Sequence, residues 1–220
     1  MSKVHNYSAG PCILPQEVLQ QASEAVINFN GLNLSLLEIS HRSKDFVEVM
    51  ENARSLVKDL LEVPEGYQVL FLQGGASLGF LVAAYNFLPM GEKAAYINTG
   101  TWADKAIKEA QRLGDVVEVA SSKDKNYSYI PSGFGIPNDA KYLHYTSNNT
   151  IFGTQYKQTP ISRIPLICDM SSDIFSKKIN VADYNLIYAG AQKNMGPAGT
   201  TLYIVKESAL GKTGNNIPDM

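Results

Sequence analysis

Apolar side chains recur at helical spacing near the start of the chain and at strand spacing after it. Over residues 16–30 the positions Val18, Leu19, Ala22 and Val26 fall on one helical face, and residues 44–62 repeat the pattern. After Pro64-Glu65-Gly66 the period changes. Short runs rich in Val, Ile and Tyr follow at 67–72, 94–98, 116–120, 142–146, 165–168, 185–189 and 201–205. Helical stretches at 77–88 and 103–113 separate the first of them, the second expected to stop at Leu113-Gly114 on its glycine. Alternation of this kind predicts an α/β domain: a mainly parallel seven-stranded sheet with helices on both faces. In such sheets ligands sit beyond the carboxyl ends of the strands, so unusual residues are expected to cluster there.

Composition narrows the class. The 220 residues are 45% hydrophobic and 18% charged, as in an ordinary globular protein. With 19 basic and 21 acidic residues and no basic stripe, nucleic acid is not an expected partner. The N-terminal MSKVHNYSAG lacks a signal-peptide core, and no apolar run has membrane-spanning length, so a cytoplasmic chain with no membrane partner is expected. Cys12 and Cys168 match neither a disulfide framework nor a zinc spacing and read as reduced thiols; no metal site is expected.

Three clusters follow strands. In VLFLQGGASLGF, Gly74 and Gly75 leave the first strand and Ala76-Ser77 open a helix. The turn is either plain structure or an anion cradle, because free N–H groups at a helix start bind phosphate. Trp102, the only tryptophan, follows strand 94–98 and is either core filling or a platform for a flat ring. Asp169 ends the run PLIC, and Lys193 follows LIYAG between small residues and a Gly-Pro-Ala-Gly turn. That is an odd setting for a solvated lysine, and partly buried lysines are the ones recruited for Schiff-base chemistry. A lysine, an acidic partner, an anion cradle and a flat surface together match the needs of pyridoxal 5'-phosphate.

Seven motifs make the match specific: SAGPCILP, SHRSKDF, the GGAS turn, GTWADKA, NNTIFGTQ, DMSSD and AGAQKNMGPAG. They stand in the order seen in phosphoserine aminotransferases of the class V aminotransferase family, and the chain resembles that family from Tyr7 to its last residue. The resemblance implies a fold-type I transferase with an N-terminal arm (1–15) and a large cofactor-binding domain (16–220). It also implies that the chain stops before a small C-terminal domain. Lys193 would bind the cofactor covalently and carry the proton at the reacting carbon. Asp169 would pair with the pyridine nitrogen and Trp102 would stack on the ring. Thr150 would approach the phenolic oxygen, and Ala76, Ser77 and Gln192 would hold the phosphate. Arg42, beside His41, would grip an acidic substrate. The implied reaction exchanges an amino group between glutamate and 3-phosphohydroxypyruvate, in serine and possibly vitamin B6 synthesis, by a homodimer with shared sites.

Two departures stand out. One branch of the family has arginine where this chain has Ser77, and the family runs on past the Gly211-Lys212 segment with further phosphate and substrate ligands. The ending Asn215–Met220 reads as a turn-like segment. Three rival readings compete: a related enzyme such as an alanine–glyoxylate aminotransferase or cysteine desulfurase, disfavoured by His41-Arg42 and the AGAQKN context; a dinucleotide-binding oxidoreductase; and an inactive or interaction-only fragment, which stays open. The Gly74–Gly79 turn departs from the G-x-G-x-x-G that an oxidoreductase requires.

Overall fold

The computed structural model describes residues 4–213, so the expected turn at 215–220 lies outside the described residues. Two helices come first, α1 (Gln16–Ile27) and α2 (Lys44–Leu61). The hydroxyl of Ser43 caps α2 by accepting from the Phe46 N–H. Then follow β1 (Tyr67–Gln73), α3 (Gly75–Phe87), β2 (Lys93–Asn98), α4 (Thr101–Ala110), β3 (Asp115–Ser121) and β4 (Ala140–Thr146). A two-residue antiparallel ladder joins β5 (Asn148–Asn149) to β6 (Thr154–Gln155). The chain continues through β7 (Leu166–Asp169), β8 (Leu186–Gly190) and β9 (Thr200–Lys206).

Seven strands form one sheet in the order β1-β9-β8-β7-β4-β2-β3. β9 is antiparallel to both neighbours, and every other pairing is parallel, so six strands share a direction and β9 alone opposes it. The reversal has a simple cause. Residues 191–199 link β8 to β9, fewer than the roughly dozen residues a parallel crossover needs. The mainly parallel seven-stranded sheet is therefore the one the alternation predicts.

Strand alternation gives two apolar faces. Tyr96, Tyr142, Tyr188 and Tyr203 face α3 and α4, which approach closely through Ala83, Ala84, Ala106 and Ala110. Ile97, Tyr145, Cys168 and Ile187 face the other way. There Val57 and Leu61 of α2 share the cover with irregular chain, including Tyr156, Ile174 and Tyr184. The second face is thus only partly helical. α4 also ends earlier than expected, at Ala110, and the four residues 111–114 carry the chain to β3 as looser turn. Gly114 does not take the left-handed conformation of a helix stop; a Cβ there would collide with the Glu92 carbonyl. Its glycine serves close packing. Among the described residues no helix is long and apolar enough to cross a membrane.

Candidate active site

The parallel strands aim their carboxyl ends at one edge of the sheet. The chain leaves β2 for β3 on one side and returns to β4 on the other, which creates the switch point where α/β sheets bind ligands. Trp102 follows β2, Thr146 ends β4, Asp169 ends β7 and Lys193 follows β8. A cavity of about 30 Å³ is lined by Ala76, Trp102, Thr146, Asn148, Asp169, Ser171, Ser172, Gln192 and Lys193. Larger cavities of about 370 and 720 Å³ lie around Tyr184 and Pro160, but neither holds a strand-end lysine beside a buried carboxylate. Chemistry, not volume, singles out the small one, across which the Lys193 side chain itself lies.

Lys193 is held on several sides. Its ammonium donates to the Thr150 hydroxyl at 2.7 Å and stands 5.1 Å from the centre of the Trp102 ring. The N-terminal segment crosses it: Cys12 donates its N–H to the Gln192 carbonyl at 2.8 Å, and a Cβ on Gly10 would stand 3.0 Å from the lysine stem. Asp169 is 3% exposed. One of its oxygens, Oδ1, accepts from both the N–H of Ser171 (2.9 Å) and the Ser171 hydroxyl (2.6 Å). No described residue donates to Oδ2.

Burial pushes both charges towards neutrality. It raises the Asp169 carboxyl above its ordinary value, against the two Ser171 hydrogen bonds and the Lys193 ammonium, with Asp173 adding to the rise. It lowers the Lys193 ammonium, against attraction from Asp169 and a smaller contribution from Cys12. Each shift favours the neutral form of its group, and the attraction between Lys193 and Asp169 opposes both.

The surroundings are built to hold these groups. Gly100, at φ 145°, lets the turn before α4 lie against the Asn149 amide, which in turn donates to the Thr99 carbonyl. This contact sets the Trp102 loop beside the Thr150 loop. α3 begins at Gly75 with no side-chain cap, leaving its first N–H groups unpaired by side chains. A Cβ on Gly190 would meet the Ala76 nitrogen at 3.2 Å and the Gln192 amide oxygen at 2.9 Å, so this helix start, Gln192 and the end of β8 converge.

Of the residues singled out from sequence, Ala76, Trp102, Asp169, Gln192 and Lys193 line the cavity and Thr150 touches Lys193. Ser77 is exposed on the first turn of α3 and lines no part of it. His41 and Arg42 lie in the exposed turn before α2, also outside the lining. Thr146, Asn148, Ser171 and Ser172 were not singled out although they line it. Asn148, Ser171 and Ser172 fall inside the NNTIFGTQ and DMSSD motifs, whereas only adjacency to a strand end marked Thr146.

Comparison with known proteins agrees with this geometry. The aminotransferase class-V family model matches residues 4–217. The phosphoserine aminotransferase of Flavobacterium johnsoniae is 64% identical over 219 residues, 99% of this chain and 62% of that protein. That of Bacteroides fragilis is 56% identical, over 99% of this chain and 61% of its own length. Among solved structures, phosphoserine aminotransferase from Bacillus circulans subsp. alkalophilus superposes with a TM-score of 0.93 at 43% identity, over 97% of this chain and 60% of that one. A pyridoxal-phosphate-bound phosphoserine aminotransferase from Trichomonas vaginalis gives 0.91 at 34% identity, over 98% and 62%. The chain therefore spans about 62% of the length of its curated relatives. A strand-end lysine beside a buried carboxylate, on a sheet matched over nearly the whole chain, places the protein in the class-V aminotransferase family.

Proposed function

We propose that this chain carries the cofactor-binding part of a pyridoxal-phosphate-dependent phosphoserine aminotransferase. The observation that carries the reading is the convergence of Lys193, Asp169 and Trp102 on one cavity next to the uncapped start of α3.

The residues present fit pyridoxal 5'-phosphate. The uncapped N–H groups of α3 suit a phosphate. Thr146 Oγ1 is buried on the cavity wall without a hydrogen-bond partner among the described residues. Asp169 Oδ2 is free to accept from a protonated ring nitrogen, and Trp102 offers a flat face. When bound, the cofactor supplies an electron-accepting ring. Lys193, its ammonium pKa lowered by burial, would hold the cofactor aldehyde and move the proton at the substrate α-carbon. Thr150 orients the lysine nitrogen through its 2.7 Å hydrogen bond. Asp169 would accept a charge-assisted hydrogen bond from a protonated ring nitrogen. Ala76, Ser77 and Gln192 are assigned to the phosphate, Ser77 through its backbone, since its side chain is exposed.

For the whole protein, the reading assigns amino exchange between glutamate and 3-phosphohydroxypyruvate in a cytoplasmic homodimer with shared sites. The identity to phosphoserine aminotransferases supports it. Arg42, with His41 beside it, is assigned to the acidic substrate, a task suited to the bidentate guanidinium.

The test is to incubate the chain with pyridoxal 5'-phosphate, reduce with borohydride and map the labelled peptide. Label is expected on Lys193 and absent from Lys193→Ala. An undiminished reducible adduct in that variant refutes the assignment. Assay of the full-length protein with phosphorylated substrates against alanine and glyoxylate then tests the substrate class.

A further inference from the structure

Beside the lysine and the carboxylate stands a third group whose contacts point one way. We propose that Ser171 is a positioning residue for the reaction assigned above: it locks the Asp169 carboxylate to the Lys193 turn and leaves one oxygen for the cofactor. The inference rests on that functional reading.

Ser171 is buried and makes three hydrogen bonds. Its N–H and its hydroxyl both donate to Asp169 Oδ1, at 2.9 and 2.6 Å, and its hydroxyl oxygen accepts from the Gly190 N–H at 3.0 Å. A serine hydroxyl ordinarily rotates among partners. Here the acceptor side is taken by the end of β8 and the donor side by the carboxylate, so the rotor has one orientation. Oδ1 is saturated, and Oδ2 alone can meet a ring nitrogen. Gly190 lies three residues before Lys193, so one hydroxyl sets the distance between the two groups that grip the cofactor. Ser147 secures the other side: its N–H donates to the Asp169 carbonyl at 3.0 Å and its hydroxyl donates to the Asp173 carboxylate.

The second consequence is electrostatic. Burial disfavours the Asp169 carboxylate, and the two Ser171 donors favour it. The other titratable groups around it are Lys193 after β8, Asp173 in the following turn, Cys168 on β7, and Tyr188 and Tyr203 from β8 and β9. Of these only Lys193 helps to keep Asp169 ionised. Removing the Ser171 hydroxyl therefore moves Asp169 towards its neutral acid, which cannot hold a proton on the ring nitrogen.

The experiment is equilibrium binding of pyridoxal 5'-phosphate to the full chain between pH 5.5 and 8.5, in wild type, Ser171→Ala, Ser171→Thr, Asp169→Asn and the Ser171→Ala/Asp169→Asn double variant. The ligand's own titration is common to all and cancels in the ratios. Ser171→Ala is expected to bind about tenfold more weakly at the acid end, the scale of one hydrogen bond to a charged group, and to approach wild type at the alkaline end. Ser171→Thr, which keeps the hydroxyl, restores the profile. In the Asp169→Asn background the serine substitution leaves the pH profile unchanged. If Ser171→Ala superposes on wild type while Asp169→Asn does not, the role of Ser171 is refuted and that of Asp169 survives. If Asp169→Asn itself binds like wild type, the functional reading fails and the inference with it. Should Ser171→Ala not fold, Ser171→Cys, a weaker donor of similar shape, is expected to give an intermediate shift, and a wild-type profile there refutes the role of Ser171.

Discussion

His144 illustrates what burial does to a side chain that no charge rescues. It is fully buried on β4, stacked on Tyr96 with ring centres 4.7 Å apart, its Nε2 2.8 Å from the Tyr188 hydroxyl. Its Nδ1 has no partner among the described residues. Burial lowers its pKa to about 3, so the native protein keeps it neutral where an unfolded chain would protonate it. The sign follows. Above the unfolded value of about 6.5 the shift costs nothing; as pH falls below it, the unfolded state gains protons and the fold weakens. By pH 5 the loss is about 2 kcal/mol, since each pH unit below 6.5 contributes about 1.4 kcal/mol. Urea unfolding at pH 7 and pH 5 should show His144→Phe losing about 2 kcal/mol less than wild type over that interval. An unaltered pH dependence would mean that His144 is not held neutral. Nothing in YLHYT distinguishes this histidine from a surface one, because its burial comes from α3 and α4 closing over that face. Asp169 and Lys193 were legible for the opposite reason: a charged residue at the end of an apolar strand is conspicuous without a structure. Ser171 was not, since a hydroxyl beside an aspartate gains meaning only when the end of β8 supplies its third hydrogen bond.

The elements themselves were largely readable, because strands buried on both faces are runs of Val, Ile, Leu and Tyr and the breaks between them fall at glycine, proline and polar clusters. Strand order was not, since the pattern along one strand carries no record of its neighbour. Nor was the β5–β6 ladder, too short to show a period. α3 shows how packing overrides local preference. Glycine within a helix costs about 1 kcal/mol relative to alanine, so propensity alone would favour Gly79→Ala. Yet Gly79 is buried, and a Cβ there would stand 2.6 Å from the Tyr188 ring, whose hydroxyl is tied to His144. The ring cannot retreat without breaking that bond or crowding Phe80, which packs edge-on against it. Overpacking of this kind costs about 1–3 kcal/mol and outweighs the propensity gain. Gly79→Ala is expected to lower the unfolding free energy by about 1–2 kcal/mol in urea titration. A more stable variant would show that α3 can shift away from the sheet.

Across the whole molecule, stability is unevenly distributed. From β1 onward, each central strand is covered on both faces. The first two helices are different: α1 has no buried residue, and its apolar positions Val18, Leu19, Val26 and Ile27 are all exposed, as are Leu32, Leu34 and Leu37 after it. Helical spacing correctly predicted α1 as a helix, but periodicity says only that an apolar stripe exists, not that these residues supply its cover. The chain spans about 62% of the length of its curated relatives, so partners for that stripe need not lie within these 220 residues. A twelve-residue helix without tertiary burial is marginal in water, since nucleation is costly and few hydrogen bonds offset it. α2 is intermediate, docked at its C-terminal end by Val57 and Leu61. Native-state amide exchange should therefore fall into tiers: α1 and residues 28–43 fastest, the first turns of α2 next, and β4, β7 and β8 slowest, with protection near the global unfolding limit. Exchange followed by mass spectrometry on the isolated chain reads this directly. Protection of α1 equal to that of β8 would mean that its apolar face is covered, and exchange at increasing protein concentration would then separate self-association from a fold more closed than the one described.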